Sequence, residues 1–343
     1  MNGRRTQPPA GSQNGTVLEQ SQTSGSVRRG TSTKIVISGA SGDLGRRVTK
    51  QLQGQAGTDL TLVTRTPQRL AERQAEGITV RRGDYSEPDS LDAAFAGGDV
   101  LFLISGLNLG RRIPEHRHAI AAARTAGIRH IVYTSVGGVQ PNNPALSAKD
   151  HLQTELDLRE SGLAFTFLRN HLYAEIVSNI WIAPAALTGR LELATGDGSL
   201  SPVGKADIAR SAAAVLSDVN RHEGAVYDIT GPELLTVAQI AQIGSEVYGV
   251  PITYAPVSQE ERLAFFDSTG MPRTYDPTMP PSADGHMWAS DELVSADVSQ
   301  AEDYQAILTH HVNQLTGRAP ESLRSVMERV RAVPYDLIGA TAQ

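Results

Sequence analysis

The sequence predicts an α/β fold: a doubly wound parallel sheet with a smaller C-terminal α+β lobe. Three observations lead there. Short β-branched and aliphatic runs recur along the chain and alternate with stretches of helical spacing. Three glycines, Gly39, Gly42 and Gly45, stand where the first run hands over to a helix. Polar residues beside glycines close the later runs, where ligands bind in open α/β sheets.

The first run is "KIVISGA", from Lys34. It is followed by "DLTLVTR" to Arg65, "ITVRRGD" to Asp84, "DVLFLISG" to Gly106, "HIVYTSV" to Val136 and "AFTFLRN" to Asn170. Each is read as a strand. "LDAAFAGG" after the third run, "EHRHAIAAARTAG" before the fifth and "HLQTELDLRESG" before the sixth are read as helices. In the second of these Gly127 is the stop; in the third Leu152, Leu156 and Leu158 line part of one face. Strands alternating with helices make β-α-β units, and right-handed crossovers wind them into a parallel sheet covered on both sides.

Further on, "TVAQIAQIGSEVYGVPITYAPVSQEE" reads as a helix and a strand separated by Gly249, Val250 and Pro251. "EERLAFFDSTGMP" reads as another helix, and "DYQAILTHHVNQLTG" and "ESLRSVMERV" as the last two. The segment from Thr274 to Trp288 is polar and Pro-rich, and is read as a lid over the substrate pocket or a connector. Residues 1–33 are rich in Gly, Ser, Thr, Gln and Pro, with four arginines and one acid, Glu19, and are read as a disordered tail. The expected organisation is therefore a tail over 1–33, a nucleotide-binding domain over 34–170, and a C-terminal part over 171–335 whose segments partly return to the first core.

Composition bounds the function. The 343 residues are 40% hydrophobic and carry a formal net charge of -6, which argues against a nucleic-acid binder. There is no cysteine, hence no disulfide framework, thiolate metal site or thiol nucleophile. No metal is expected: His116 and His118 diverge on a helix, and so do His310 and His311. No apolar run is long enough to span a bilayer, and the chain is read as cytoplasmic, monomeric or homodimeric.

Gly39, Gly42 and Gly45 form G-x-x-G-x-x-G at a strand-to-helix turn. Such a turn lets backbone approach a pyrophosphate at the positive end of a helix. The turn's Ser41, Asp43, Leu44 and Arg46 are counted with it as dinucleotide-binding. The second strand ends in Arg65, with Arg69 close behind, and has no acid at its tip to take ribose hydroxyls. Guanidinium groups there suit a 2′-phosphate, so NADP(H) is expected over NAD(H). Asp84 is placed near the adenine, or alternatively caps a turn. Ser105, Gly106 and Ser135 are placed on the rim beside the nicotinamide.

"GASGDLG", "GDYSEPDSLDAAFAGGDVLFLIS", "RHAIAAARTAGIRHIVYTSVGG" and "DHLQTELDLRESGLAFTFLRNHLYAE" together resemble the NmrA-like, atypical branch of the short-chain dehydrogenase/reductases, over about residues 34 to 265. The pattern is most like that of type 2 quinone oxidoreductases and azoreductase-like members. The resemblance implies a Rossmann domain with a substrate lobe, NADPH as cofactor, and hydride transfer to a quinone or similar small conjugated electrophile. It also implies His151 at the position where many relatives carry a lysine, and makes His151, Asn170 and Tyr173 the catalytic candidates. The Tyr-x-x-x-Lys pair of typical members is missing, with Ser147 four residues before His151. Where quinone reductases of this type have Gly-Trp-Tyr after the asparagine, this chain has His171, Leu172 and Tyr173. The alternative reading is a non-catalytic NADP(H)-binding redox sensor that regulates a protein partner.

Overall fold

The computed structural model describes residues 32–107, 109–275 and 289–331. Most of the expected N-terminal tail and most of the expected lid, including Trp288, lie outside the described residues.

The first half of the chain runs β1 (Thr33–Ile37), α1 (Asp43–Leu52), β2 (Thr58–Thr64), α2 (Ala71–Ala75), β3 (Thr79–Arg82), α3 (Asp89–Phe95), β4 (Val100–Leu103), α4 (Arg112–Thr125), β5 (His130–Val136), α5 (Leu146–Glu160) and β6 (Ala164–Asn170). Thr33, expected at the end of the tail, is the first residue of β1 and pairs with Thr58. Next come α6 (Ala174–Ile176), a π-helical stretch (Val177–Ile182), α7 (Ala183–Thr188), β7 (Arg190–Leu191), β8 (Ser199–Leu200), α8 (Lys205–Ser217) and β9 (Val226–Ile229). The chain continues through β10 (Leu235–Thr236), α9 (Val237–Tyr248), β11 (Thr253–Tyr254), α10 (Gln259–Ser268), α11 (Ser290–Ala301), α12 (His311–Thr316) and α13 (Leu323–Val330).

Seven strands form one parallel sheet in the order β3-β2-β1-β4-β5-β6-β9. The order reverses direction beside β1, and at such a switch point a crevice opens above the strand ends. Strand residues alternate between two cores, as the pleat requires. Ile35, Ile37, Val100, Phe102 and Val132 pack with α1 and α8 on one face. Val36, Leu101, Leu103, Ile131 and Tyr133 pack with α3, α4 and α5 on the other. A third core joins the π-helical stretch, α9 and α13.

Two expectations need correction. "DYQAILTHHVNQLTG" is helical only over α12. Upstream of it the chain bonds to its neighbours instead: Ser201 Oγ donates to Ile307 O at 2.6 Å and Thr309 Oγ1 to Asp228 O at 2.6 Å, and these contacts override local helix propensity. Leu156 is exposed, and of the expected leucine stripe on α5 only Leu158 is fully buried. Among the described residues, no helix is long and apolar enough to cross a membrane.

Candidate functional site

The β1–α1 turn is built by its glycines in three different ways. Gly39 has φ +63°, a left-handed conformation that side chains resist. Gly42 caps α1 with extended backbone and no side-chain capping bond, so nothing from the cap residue covers the helix mouth. Gly45 lies against the turn itself: a Cβ there would stand 2.6 Å from Gly39 O and 2.7 Å from Ala40 Cα. The N–H groups of the first turn have no partner within the helix. Leu44 anchors the turn in the core below, and Ser41 Oγ lies 2.7 Å from Thr64 Oγ1 at the tip of β2. This is a rigid, positively poled cradle for an anionic group.

Arg46 and Arg65 are exposed and, among the described residues, make no ion pair. Arg47 is committed to Asp43 at 2.8 Å. Asp84 serves its own turn: its Oδ1 accepts from Ser86 N at 2.9 Å and from Ser86 Oγ at 2.8 Å.

The tip of β4 is held from behind by two buried side chains one helical turn apart. Gly106 N–H donates to His116 Nε2 at 2.9 Å, and Gly106 O accepts from Arg112 Nε at 2.8 Å. Arg112 Nη2 also reaches Leu107 O at 3.1 Å, while its Nη1 meets Asp150 Oδ2 at 3.0 Å. Glu292 Oε1 on α11 is 3.7 Å away. A backbone donor on Nε2 puts the imidazole proton on Nδ1, facing Thr154 Oγ1 at 3.0 Å. Burial, helped by Arg112, drives the His116 pKa down to about 3, so the ring is neutral. Ser105 N–H donates to Thr134 Oγ1 at 2.8 Å. Sequence reasoning missed both anchors, because "GRR" and "EHRH" look like solvated charge.

Ser135 Oγ donates to Glu155 Oε1 at 2.7 Å, and Glu155 is gripped bidentately by Arg169 at 2.9 and 2.7 Å. Ser135 keeps its expected place at the tip of β5, with its hydroxyl proton engaged by the Glu155–Arg169 pair that joins α5 to β6.

His151 is buried rather than on the helix surface, with Nδ1 2.7 Å from Tyr133 Oη. Burial first, then Arg112 and His116, hold its pKa well below the usual imidazole value, so it is neutral at pH 7. Burial also raises the Tyr133 pKa and keeps that phenol protonated. If the phenol donates to Nδ1, the ring proton sits on Nε2, where it can be given to another acceptor.

Asn170 ends β6 at 4% exposure beside the Tyr173 phenol, and among the described residues neither its Nδ2 nor its Oδ1 meets a partner in good hydrogen-bond geometry. Orphaned amide atoms at that burial are costly unless a ligand satisfies them. Tyr173 follows, its phenol pushed up to about 12 by burial. Lys205 Nζ lies 5.6 Å over the Tyr173 ring and 3.2 Å from Asp43 Oδ2, joining this corner to the N-terminus of α1. Lys205 too was missed, because its partner lies far away in sequence. Among the described residues, no three His, Cys, Asp or Glu side chains are grouped to hold a metal.

The open helix mouth, the two free arginines and the unsatisfied Asn170 amide fit a phosphate-bearing dinucleotide laid across the strand ends. A family model described as NAD(P)H-binding matches residues 39–218. Quinone oxidoreductase 2 of Escherichia coli (strain K12) is 36% identical over 240 residues, covering 69% of this chain and 82% of that one. An NAD(P)H azoreductase of Xenophilus azovorans is 28% identical over 242 residues, covering 70% and 82%. The solved NADPH complex of an NADPH-dependent quinone oxidoreductase from Escherichia coli superposes with a TM-score of 0.76 at 32% identity, covering 87% of this chain and 99% of that one.

Proposed function

The chain belongs to the NAD(P)H-binding family, in its NmrA-like branch, and from that premise we propose that it transfers hydride from NADPH to a quinone or a similar small conjugated electrophile. It is an NAD(P)H-dependent oxidoreductase. The observation that carries the reading is Asn170, a buried amide at the tip of β6 whose two polar atoms meet no partner in good hydrogen-bond geometry among the described residues.

A bound NADPH supplies the hydride; the rest falls to the chain's own groups. The first-turn N–H groups of α1 hold the pyrophosphate, and Arg46 and Arg65 read the 2′-phosphate. Asn170 orients the nicotinamide or the acceptor by its two free amide atoms. The pinned Ser105–Leu107 backbone keeps the neighbouring rim from relaxing. His151, neutral throughout the physiological range, donates from Nε2 to the acceptor oxygen as negative charge gathers there. Tyr173 walls the crevice.

Consumption of NADPH over a panel of quinones tests the reading, with His151→Ala beside the wild type. The expected result is turnover by wild type and a loss of about tenfold in kcat for the variant, with NADPH affinity within a few-fold. Quinones accept hydride readily, so the loss is smaller than for an acyl-transfer oxyanion donor. Turnover that is indifferent to His151 removes that residue from the chemistry. Tight NADPH binding without turnover on any quinone favours the redox-sensor reading.

Cofactor choice has its own test. Arg65→Ala is expected to weaken NADPH by about ten- to a hundredfold and to leave NADH nearly unchanged, because only NADPH carries the 2′-phosphate. Titration calorimetry with both cofactors measures this, and equal losses would show that Arg65 does not read the phosphate.

A further inference from the structure

We propose that Lys205 tunes cofactor affinity by neutralising an acid built into the phosphate-binding turn, and not by touching phosphate itself. The inference rests on the dinucleotide reading above. Asp43 is the first residue of α1, directly after Gly42. A carboxylate there favours the helix, because it faces the positive end of the macrodipole. It also stands where a doubly charged pyrophosphate must approach, and like charges at that range oppose binding. The turn therefore carries a conflict between helix stability and ligand charge.

The structure resolves the conflict with two cations. Asp43 Oδ1 takes Arg47 Nε at 2.8 Å from the next turn of its own helix. Asp43 Oδ2 takes Lys205 Nζ at 3.2 Å from the first residue of α8. Lys205 is held for this contact. Its backbone N–H lies 3.1 and 3.3 Å from the two Glu175 carboxylate oxygens, and its ammonium rests over the Tyr173 ring. α1 and α8 share one core, with Leu44 and Val48 packed among Ile208, Ala209 and Ala212, so the two ends are fixed relative to each other. Burial raises the Asp43 carboxyl, but Lys205 and Arg47 together outweigh it and hold the group ionised. The same corner contains Asn170, whose unpartnered amide points to a ligand by an independent route.

The test is a double-variant cycle read by calorimetric titration with NADPH at low salt. Lys205→Met should weaken binding by about tenfold, and Asp43→Asn should tighten it several-fold. The double variant restores the net charge of the turn and should bind within about threefold of wild type. Lys205→Arg keeps the charge and should bind as wild type does. Added salt should shrink each difference. A double variant as weak as Lys205→Met would mean that Lys205 contacts the phosphate directly, and would overturn the proposal. So would an unaffected Lys205→Met. Should Lys205→Met fail to fold, Asp43→Asn alone decides, because weaker binding by that variant contradicts the proposal. Wild type that binds no NADPH overturns the dinucleotide reading itself, a result distinguishable from all of these.

Discussion

Valine at Gly42 is expected to abolish NADPH binding while the protein stays folded. Gly42 has φ -74° and ψ 167°, an extended conformation that valine adopts without strain. The nearest atom to its added Cβ is Gly39 O at 3.3 Å, close but tolerable with a small shift. The branched methyls would then stand over the first-turn N–H groups of α1, which are the anchor for the pyrophosphate. Calorimetric titration should show at least about a hundredfold loss, equivalent to roughly 2.8 kcal/mol, with the melting temperature lowered by only a few degrees. Unchanged affinity would remove this turn as the cofactor site. Gly45→Val provides the contrast. Its Cβ would meet backbone at 2.6 and 2.7 Å, which no side-chain rotation can relieve, so α1 must move off the turn and stability falls with binding.

The difference between those two glycines shows what the sequence could and could not convey. The triplet and the run before it placed the turn, but three identical letters concealed three different duties. Six of the seven strands of the parallel sheet were legible because short β-branched and aliphatic runs alternate with stretches of helical spacing. β9 was not: it is an edge strand of four residues, and Asp228 interrupts its apolar character. On the sheet it pairs with β6, from which it is separated in the chain by the lobe's first helices and α8.

The site was less legible than the fold because its controlling contacts are long-range. His151 is singled out in "AKDHLQT", but its partner Tyr133 on β5 and the Arg112 that holds the neighbouring Asp150 lie 18 and 38 residues away in the chain. Ser135 stands at a strand tip as expected, but Glu155 on α5 claims its hydroxyl. Asp43 looked like one more residue of a phosphate turn until Lys205, at the start of α8, came to lie beside it.

Replacing Arg112 by methionine is expected to produce the largest loss of stability, with a pH dependence that identifies its cause. Arg112 is 4% exposed and serves Gly106 O, Leu107 O and Asp150 directly, with Glu292 at the edge of reach. Methionine approximates its stem but leaves two buried carboxyls without a cation. Breaking a buried pair from one side costs about 3–5 kcal/mol. For a chain of this size that is a fall of roughly 4–8 °C in melting temperature. Burial already raises both the Asp150 and Glu292 carboxyls, and Arg112 pulls each part of the way back. Without Arg112 both must rise further. A carboxyl raised by folding binds its proton more tightly in the folded state. The stability linked to it is therefore complete below its unfolded pKa and is lost as pH rises through the folded one. The gap between wild type and Arg112→Met should be narrow in mild acid and widen towards neutral pH, as thermal melting across that range would record. A gap of constant size would assign the loss to packing and to the freed carbonyls of Gly106 and Leu107, with the charge of Arg112 contributing nothing. Arg112→Lys separates the parts further. It keeps a cation for the carboxyls but cannot reproduce the guanidinium's simultaneous bonds to Gly106, Leu107 and Asp150. It should recover most of the pH dependence of wild type and only part of its melting temperature.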